Sequence, residues 1–190
     1  MSNQGRKLSV KDLAICGVFG ALILVVGFVL GSAIIMATGI PATGSLLNVI
    51  VAVFIAIIGF KLVDKFGAAI VMLTVEGAIS VPTVINGPPG IHKILLLFVV
   101  GLSAEIILLL TKRSNKGYYA VGLISGIEIV TFIYLSLALL GLPGEETLRP
   151  IIIPLAAVSG VMGAIGAYLG VRVYDSKLQH LSVVQSLKSQ

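Results

Sequence analysis

Continuous apolar runs, rather than any motif, limit what this chain can fold into. Six of them are Leu13–Leu30, Ser45–Phe60, Gly67–Val84, Ile91–Leu110, Tyr118–Leu140 and Ile151–Val173. Each approaches or exceeds the roughly 20 residues that cross a hydrocarbon core of about 30 Å. None shows the period-two alternation of a membrane barrel strand, so each predicts a helix. Only 11% of the residues are charged and 57% are hydrophobic, whereas a soluble fold carries about a quarter charged residues. The expected fold class is therefore all-α, a polytopic membrane protein of six transmembrane helices. It forms one domain over residues 1–190, with a start at 1–12 and a tail at 175–190.

The basic residues orient those spans. Arg6, Lys7 and Lys11, then Lys61 and Lys65, then Lys112, Arg113 and Lys116, and finally Arg172, Lys177 and Lys188 fall on one side. Only Lys93 and Arg149 fall on the other. An even number of spans puts both termini on one side, and the positive-inside rule makes that side cytoplasmic. The expected location is the plasma membrane. The net charge of +5 reads as orientation, and no nucleic-acid partner is expected. A cleavage site at "GSA", 31–33, would leave five spans and spoil the charge pattern, so the first run is read as a retained helix. His180, in the tail, is expected to be solvated.

Several chemistries find no residues here. The sequence has no G-x-x-x-x-G-K-[ST] and no H-E-x-x-H, and no His/Cys cluster with metal spacing. The single Cys16 lies in the first run, forms no intrachain disulfide and reads as a packing residue. No cofactor, metal site or catalytic residue is expected, and the chain reads as one that binds or conducts.

Three carboxylates lie inside the spans: Glu76, Glu105 and Glu128. A carboxylate near the bilayer centre costs at least about 2.5–3.5 kcal/mol, so each marks a functional site by default. Glu76 and Glu128 lie about 14–15 Å from the cytoplasmic ends of their helices, near the midplane. Ser80 and Thr83 follow Glu76 at i+4 and i+7, and Ser125, Glu128 and Thr131 share a face with Phe132 beside them. Glu105 lies nearer the cytoplasm, with Gly101 and Leu102 on its face. No lysine or arginine within a span is available to pair the three, which suits a cationic or amine-bearing ligand, or a proton or metal-ion path. Protonated glutamates bonding between helices are the structural alternative.

The external connections differ in kind. "GSAIIMATGIPATG", 31–44, is long and uncharged, and reads as a loop folded over the helix ends. "NGPPGIHK", 86–93, is stiffened by Pro88 and Pro89, with Asn86, His92 and Lys93 placed to line a lip. "PGEETLR", 143–149, is the charged one. Small residues recur on two helices. Ala14, Gly17 and Ala21 mark a face of the first that is open to a partner subunit. Gly160, Gly163, Ala164, Gly166, Ala167 and Gly170 mark the last, where close packing within the chain is expected.

This combination resembles the S components of energy-coupling factor (ECF) vitamin transporters over nearly the whole chain. A basic start runs into "LAICGVFGALILVV", followed by a long apolar first connection. The resemblance implies a subunit that captures one micronutrient near the outer surface. It also implies docking onto a transmembrane coupling subunit and two ATPase subunits. In that family an A-x-x-x-A pattern on the first helix faces the coupling subunit. Here Ala14 is followed four residues on by Val18, and the small pair is Gly17/Ala21. "FGAAIVMLTVEG" and "GLSAEIILLL" look like the third and fourth helices of the hydroxymethylpyrimidine/thiamine type, which would make Glu76 and Glu105 recognition groups for an aminopyrimidine or thiazolium. The chain departs from a stacking site in having no tryptophan. On this reading the substrate-binding residues are Glu76, Ser80, Asn86, His92, Glu105, Glu128 and Phe132. A self-contained proton-coupled secondary transporter or small channel is the alternative, and a membrane enzyme or assembly factor is a third.

Overall fold

The computed structural model describes residues 7–38, 41–84, 88–141 and 145–188, and every regular element among them is helical. In chain order they are α1 (Val10–Thr38), α2 (Pro41–Val63), α3 (Ala68–Ser80), α4 (His92–Leu110) and α5 (Asn115–Leu140). Then come the short α6 (Glu145–Leu148), α7 (Ile152–Val173) and α8 (Ser182–Lys188). A 3₁₀ turn at Arg149–Ile151 leads into α7, and a π-helical turn at Tyr174–Leu178 follows it. Four helical stretches are long and apolar enough to cross a membrane: Val10–Ala33, His92–Leu110, Asn115–Leu140 and Glu145–Leu178. The stretches Asn48–Val63 and Ala68–Ser80 are shorter apolar helices.

Two boundaries differ from the sequence expectation. The stretch 31–44 is not a long loop: α1 continues to Thr38 and α2 begins at Pro41. Apolar residues without a proline leave nothing to stop α1, and Pro41 stands at the first position of α2, where its missing N–H is not needed. The third helix is shorter than Gly67–Val84 and ends at Ser80. Pro82 explains this, because its ring would strike the carbonyl one turn back and it has no N–H to give.

At 13 residues, α3 is only about 20 Å long. Both of its ends are closed by charged side chains of the antiparallel α4. At the first turn, the Glu105 carboxylate accepts the Ala69 N–H at 2.8 Å. At the last, the Lys93 ammonium donates to the carbonyls of Ser80 at 3.1 Å and Thr83 at 2.6 Å. An anion at the amino end and a cation at the carboxyl end both oppose the helix dipole. They also satisfy backbone groups that apolar surroundings would leave bare.

Among the described residues, α1 packs on α2 and α3, α2 on α7, α7 on α5, α5 on α4, and α4 on α3, which closes a ring. Glycines set the closest approaches. A Cβ at Gly126 would collide with the Ser159 carbonyl, one at Gly163 with the Gly122 carbonyl, and one at Gly166 with the Ile50 carbonyl. The small residues of α7 thus seat it against α5 on one side and α2 on the other, as packing within the chain requires. On α1 the pattern divides: Gly20 lies against Met72 and Glu76 of α3, whereas Gly17 has no atom within 4 Å of where a Cβ would stand.

The end of the ring carrying Lys61, Lys65, Lys112, Arg113, Lys116 and Arg172 is called the basic end here, and the opposite one the far end. At the basic end, Ser9 and Asp12 form a capping box that starts α1: the Ser9 N–H reaches Asp12 Oδ2 at 2.7 Å and the Asp12 N–H reaches Ser9 Oγ at 3.2 Å. Ion pairs then tie neighbours together. Lys65 meets Asp12 at 2.6 Å, and Lys61 meets Asp175 at 2.7 Å. In the tail His180 is exposed, as expected, and Val184 is buried; Tyr174, just before it, is buried as well.

Candidate functional site

The enclosed core fills the basic half of the ring and continues along α3 and α4 toward the far end, where Ser80, Lys93, Leu96 and Leu97 are buried. Cys16, Ile57, Met72, Ala104 and Leu108 have no exposed surface, and Phe60 and Tyr118 have almost none. Met72 lies centrally, near enough to α2 that a Cβ on Gly59 would meet its Cε. On the α5–α7 side this core stops abruptly. Along α5, full burial ends at Gly126 and returns only at Leu137; along α7, it begins at Ser159. Between them, every residue from 127 to 134 is partly buried. A helix packed on one face alternates between enclosed and exposed positions. Two turns without a single enclosed residue show that this stretch of α5 is packed more loosely than the turns before Gly126.

Glu128 lies on that stretch. Its Oε2 accepts a hydrogen bond from the Ser103 hydroxyl of α4 at 2.7 Å, and among the described residues no lysine or arginine pairs with it. Ser103 Oγ is also 2.9 Å from the Val100 carbonyl, which fixes its rotamer. Phe132 follows Glu128 by one turn and packs on the top of the core with Ile129. The hydroxyls of Thr131 and Ser136 are turned back to carbonyls of their own helix at 2.8 Å each. Glu128 is therefore the polar group of this stretch with capacity to spare: one bond from Ser103 leaves a carboxylate with several open acceptor positions.

The other predicted residues are not gathered around it. Glu76 is buried where α1 meets α3, one turn beyond Met72, with its backbone N–H near Gly20. Ser80 is fully buried and donates to the Gly77 carbonyl at 2.9 Å. His92 opens α4 at the far end, and its Nε2 is buried without a hydrogen-bond partner among the described residues. Asn86 lies outside the described residues. Lys93, expected at a lip, is instead fully buried on the end of α3.

Glu105 has different surroundings from Glu128. Besides the Ala69 N–H, it holds Arg113 through Oε2 at 2.7 Å, and Arg113 also stands 3.8 Å from Asp64. The expectation that no cation reaches an intramembrane glutamate is thus corrected. Arg113 follows the span in sequence, but its backbone turns back into the bundle. Lys112 and Arg113 both take left-handed φ, 50° and 54°, a conformation uncommon for such residues.

Sequence reasoning passed over two residues. Ser103 stands two positions before Glu105 on a different face, and only the pairing of α4 with α5 reveals it. Asn48 left a signal, being an amide inside the second apolar run. Its Oδ1 is buried without a hydrogen-bond partner among the described residues, 2.6 Å from where a Cβ on Gly27 would stand. No group of three His, Cys, Asp or Glu that could hold a metal occurs among the described residues.

No family model matches the chain, and no curated protein matches it. A solved structure described as an S-component of an ECF transporter does match. Its TM-score is 0.64 at 21% identity, over 96% of this chain and 94% of that one. The chain has the fold of that S component.

Proposed function

We propose that this protein is the substrate-capture subunit of an ECF-type importer for a vitamin or related micronutrient. In that role it spans the plasma membrane six times, with both termini and the basic end in the cytoplasm, as the distribution of lysine and arginine supports. Its far end faces outward. A transmembrane coupling subunit and two ATPase subunits supply the energy, and the open face of α1 at Ala14, Gly17 and Ala21 offers the docking surface. No catalytic role is assigned to any residue.

One observation carries the reading within the S-component fold: Glu128 on the loosely packed stretch of α5, bonded by Ser103 and paired with no lysine or arginine among the described residues. A carboxylate so placed is suited to a ligand that brings positive charge or paired N–H donors. Thiamine or its aminopyrimidine precursor has that chemistry, with Phe132 as the neighbouring aromatic surface. Within the proposed set, Glu128 and Phe132 contact the ligand, while Glu76, Ser80 and His92 lie apart from them on α3 and α4. Glu105 holds the bundle together from the basic end.

Reconstitution tests the proposal. The chain alone in liposomes should bind radiolabelled thiamine or hydroxymethylpyrimidine without accumulating it. Adding the coupling and ATPase subunits should confer uptake that requires ATP. Uptake by the chain alone, driven by a proton gradient, would overturn the proposal in favour of a secondary transporter.

A further inference from the structure

Where α5 begins and α7 ends, a basic and aromatic cluster lies on the outer side of the bundle, with Tyr119 packed partly on the core, and takes no part in the proposed capture site. The two helices run antiparallel, with Gly122 against Gly163 and Gly126 against Ser159. That register sets Lys116 level with Leu169 and places Arg172 just beyond it toward the basic end. Across the seam the rings of Tyr119 and Tyr168 are tilted against each other with centroids 6.0 Å apart. Arg172 Nη1 lies 3.4 Å from the Tyr168 hydroxyl, one turn along α7. Lys116 and Arg172 are exposed, and Tyr168 is 47% exposed. The acidic residue nearest in sequence, Asp175, is engaged by Lys61 and Asn115 on another side of α7.

Above the cluster the same faces turn apolar. Leu123 on α5 and Val161 and Ile165 on α7 are exposed, and between them the glycine contacts bring the two backbones close enough to leave a shallow seam. Two cations and two tyrosines at the level of the headgroups, below a track of aliphatic side chains, complement a molecule with an anionic head and hydrocarbon tails. We infer that the α5–α7 seam is a binding site for an anionic phospholipid. Lys116 and Arg172 hold its phosphate, Tyr119 and Tyr168 flank the glycerol, and the acyl chains lie along Leu123, Val161 and Ile165. The site serves a bilayer-spanning chain whatever its cargo, so it stands apart from the importer proposal.

Native mass spectrometry of the full chain in detergent, titrated with phosphatidylglycerol or phosphatidylcholine, tests this. Phosphatidylglycerol should be retained in preference. Lys116→Gln and Arg172→Gln should each weaken its binding about fivefold, and the pair about thirtyfold. The charge-matched pair Lys7→Gln/Lys11→Gln, at the α1 corner of the same end, should change it less than twofold. Equal losses from both pairs, or equal retention of the two lipids, would show only a diffuse basic surface and overturn the site. The unaltered chain supplies a second readout, using phosphatidylglycerol with a photoreactive headgroup. Adducts confined to peptides holding Tyr119 and Tyr168 are expected, and adducts spread evenly around the basic end would also overturn it.

Discussion

Glu105 and Glu128 sit on neighbouring helices and look alike in the sequence, as single carboxylates in apolar runs. The fold uses them in opposite ways. Glu105 has no exposed surface and is occupied on both oxygens, by the Ala69 N–H and by Arg113. Glu128 is partly buried on a stretch where nothing is enclosed, and takes one bond from Ser103. The contrast teaches that a buried carboxylate marks a function only after its partners are counted. Where the chain supplies the cation, the group fastens helices; where it does not, the group keeps acceptor positions open, which is the basis of the ligand role proposed for Glu128.

The comparison can be broken at either carboxylate. The largest effect is expected at Glu105: replacement by Ala leaves the buried Arg113 guanidinium with only the more distant Asp64 carboxylate and bares the Ala69 N–H, which should cost about 3–5 kcal/mol. Thermal unfolding in detergent would read this as a large fall in midpoint. Glu105→Gln/Arg113→Gln together should cost less than the two single changes summed, because they remove one interaction between them. Lys93→Met comes next, since it takes the ammonium from the Thr83 carbonyl at the end of α3, while the Ser80 carbonyl keeps the Thr83 N–H and hydroxyl; about 1.5–3 kcal/mol is expected by the same assay. Gly126→Val forces α5 off the Ser159 carbonyl and should cost about 1–3 kcal/mol. Glu128→Gln should lower stability by less than about 1 kcal/mol. It should nevertheless weaken ligand binding at least tenfold by calorimetry, an asymmetry that Glu105 variants should not show. Smallest is Gly17→Leu, within about 0.5 kcal/mol, because its surroundings are open. Its consequence should appear only in co-purification with the coupling subunit.

Much of the fold was legible in the sequence because apolar run length reports on helices directly, and α4, α5 and α7 begin or end within a few residues of the predicted runs. The end of α3 was legible too, in Pro82, but a count of apolar residues does not weigh a missing N–H. The first connection misled because a polar-poor stretch of small residues reads equally as loop or as helix. Other features had no local signal. Arg113 reaches Glu105 only because two consecutive non-glycine residues adopt left-handed backbone, which no residue type announces. The order of helices around the ring is set by individual glycine contacts such as Gly20 with Met72 and Gly166 with Ile50. Ser103 became visible only once that order placed α4 beside α5. Asn48 was legible in principle as a lone amide in an apolar run, and its oxygen is buried without a hydrogen-bond partner among the described residues.

The most direct test compares small molecules released by denaturing the purified wild-type protein and its Glu128→Gln and Gly17→Leu variants, identified by mass spectrometry. The account predicts one molecule bearing an amino group or a cationic ring, near one per chain, from the wild type and from Gly17→Leu, and its loss from Glu128→Gln. The same molecule released in equal amount from Glu128→Gln would contradict the account, because the ligand would then be held without the carboxylate on which it rests.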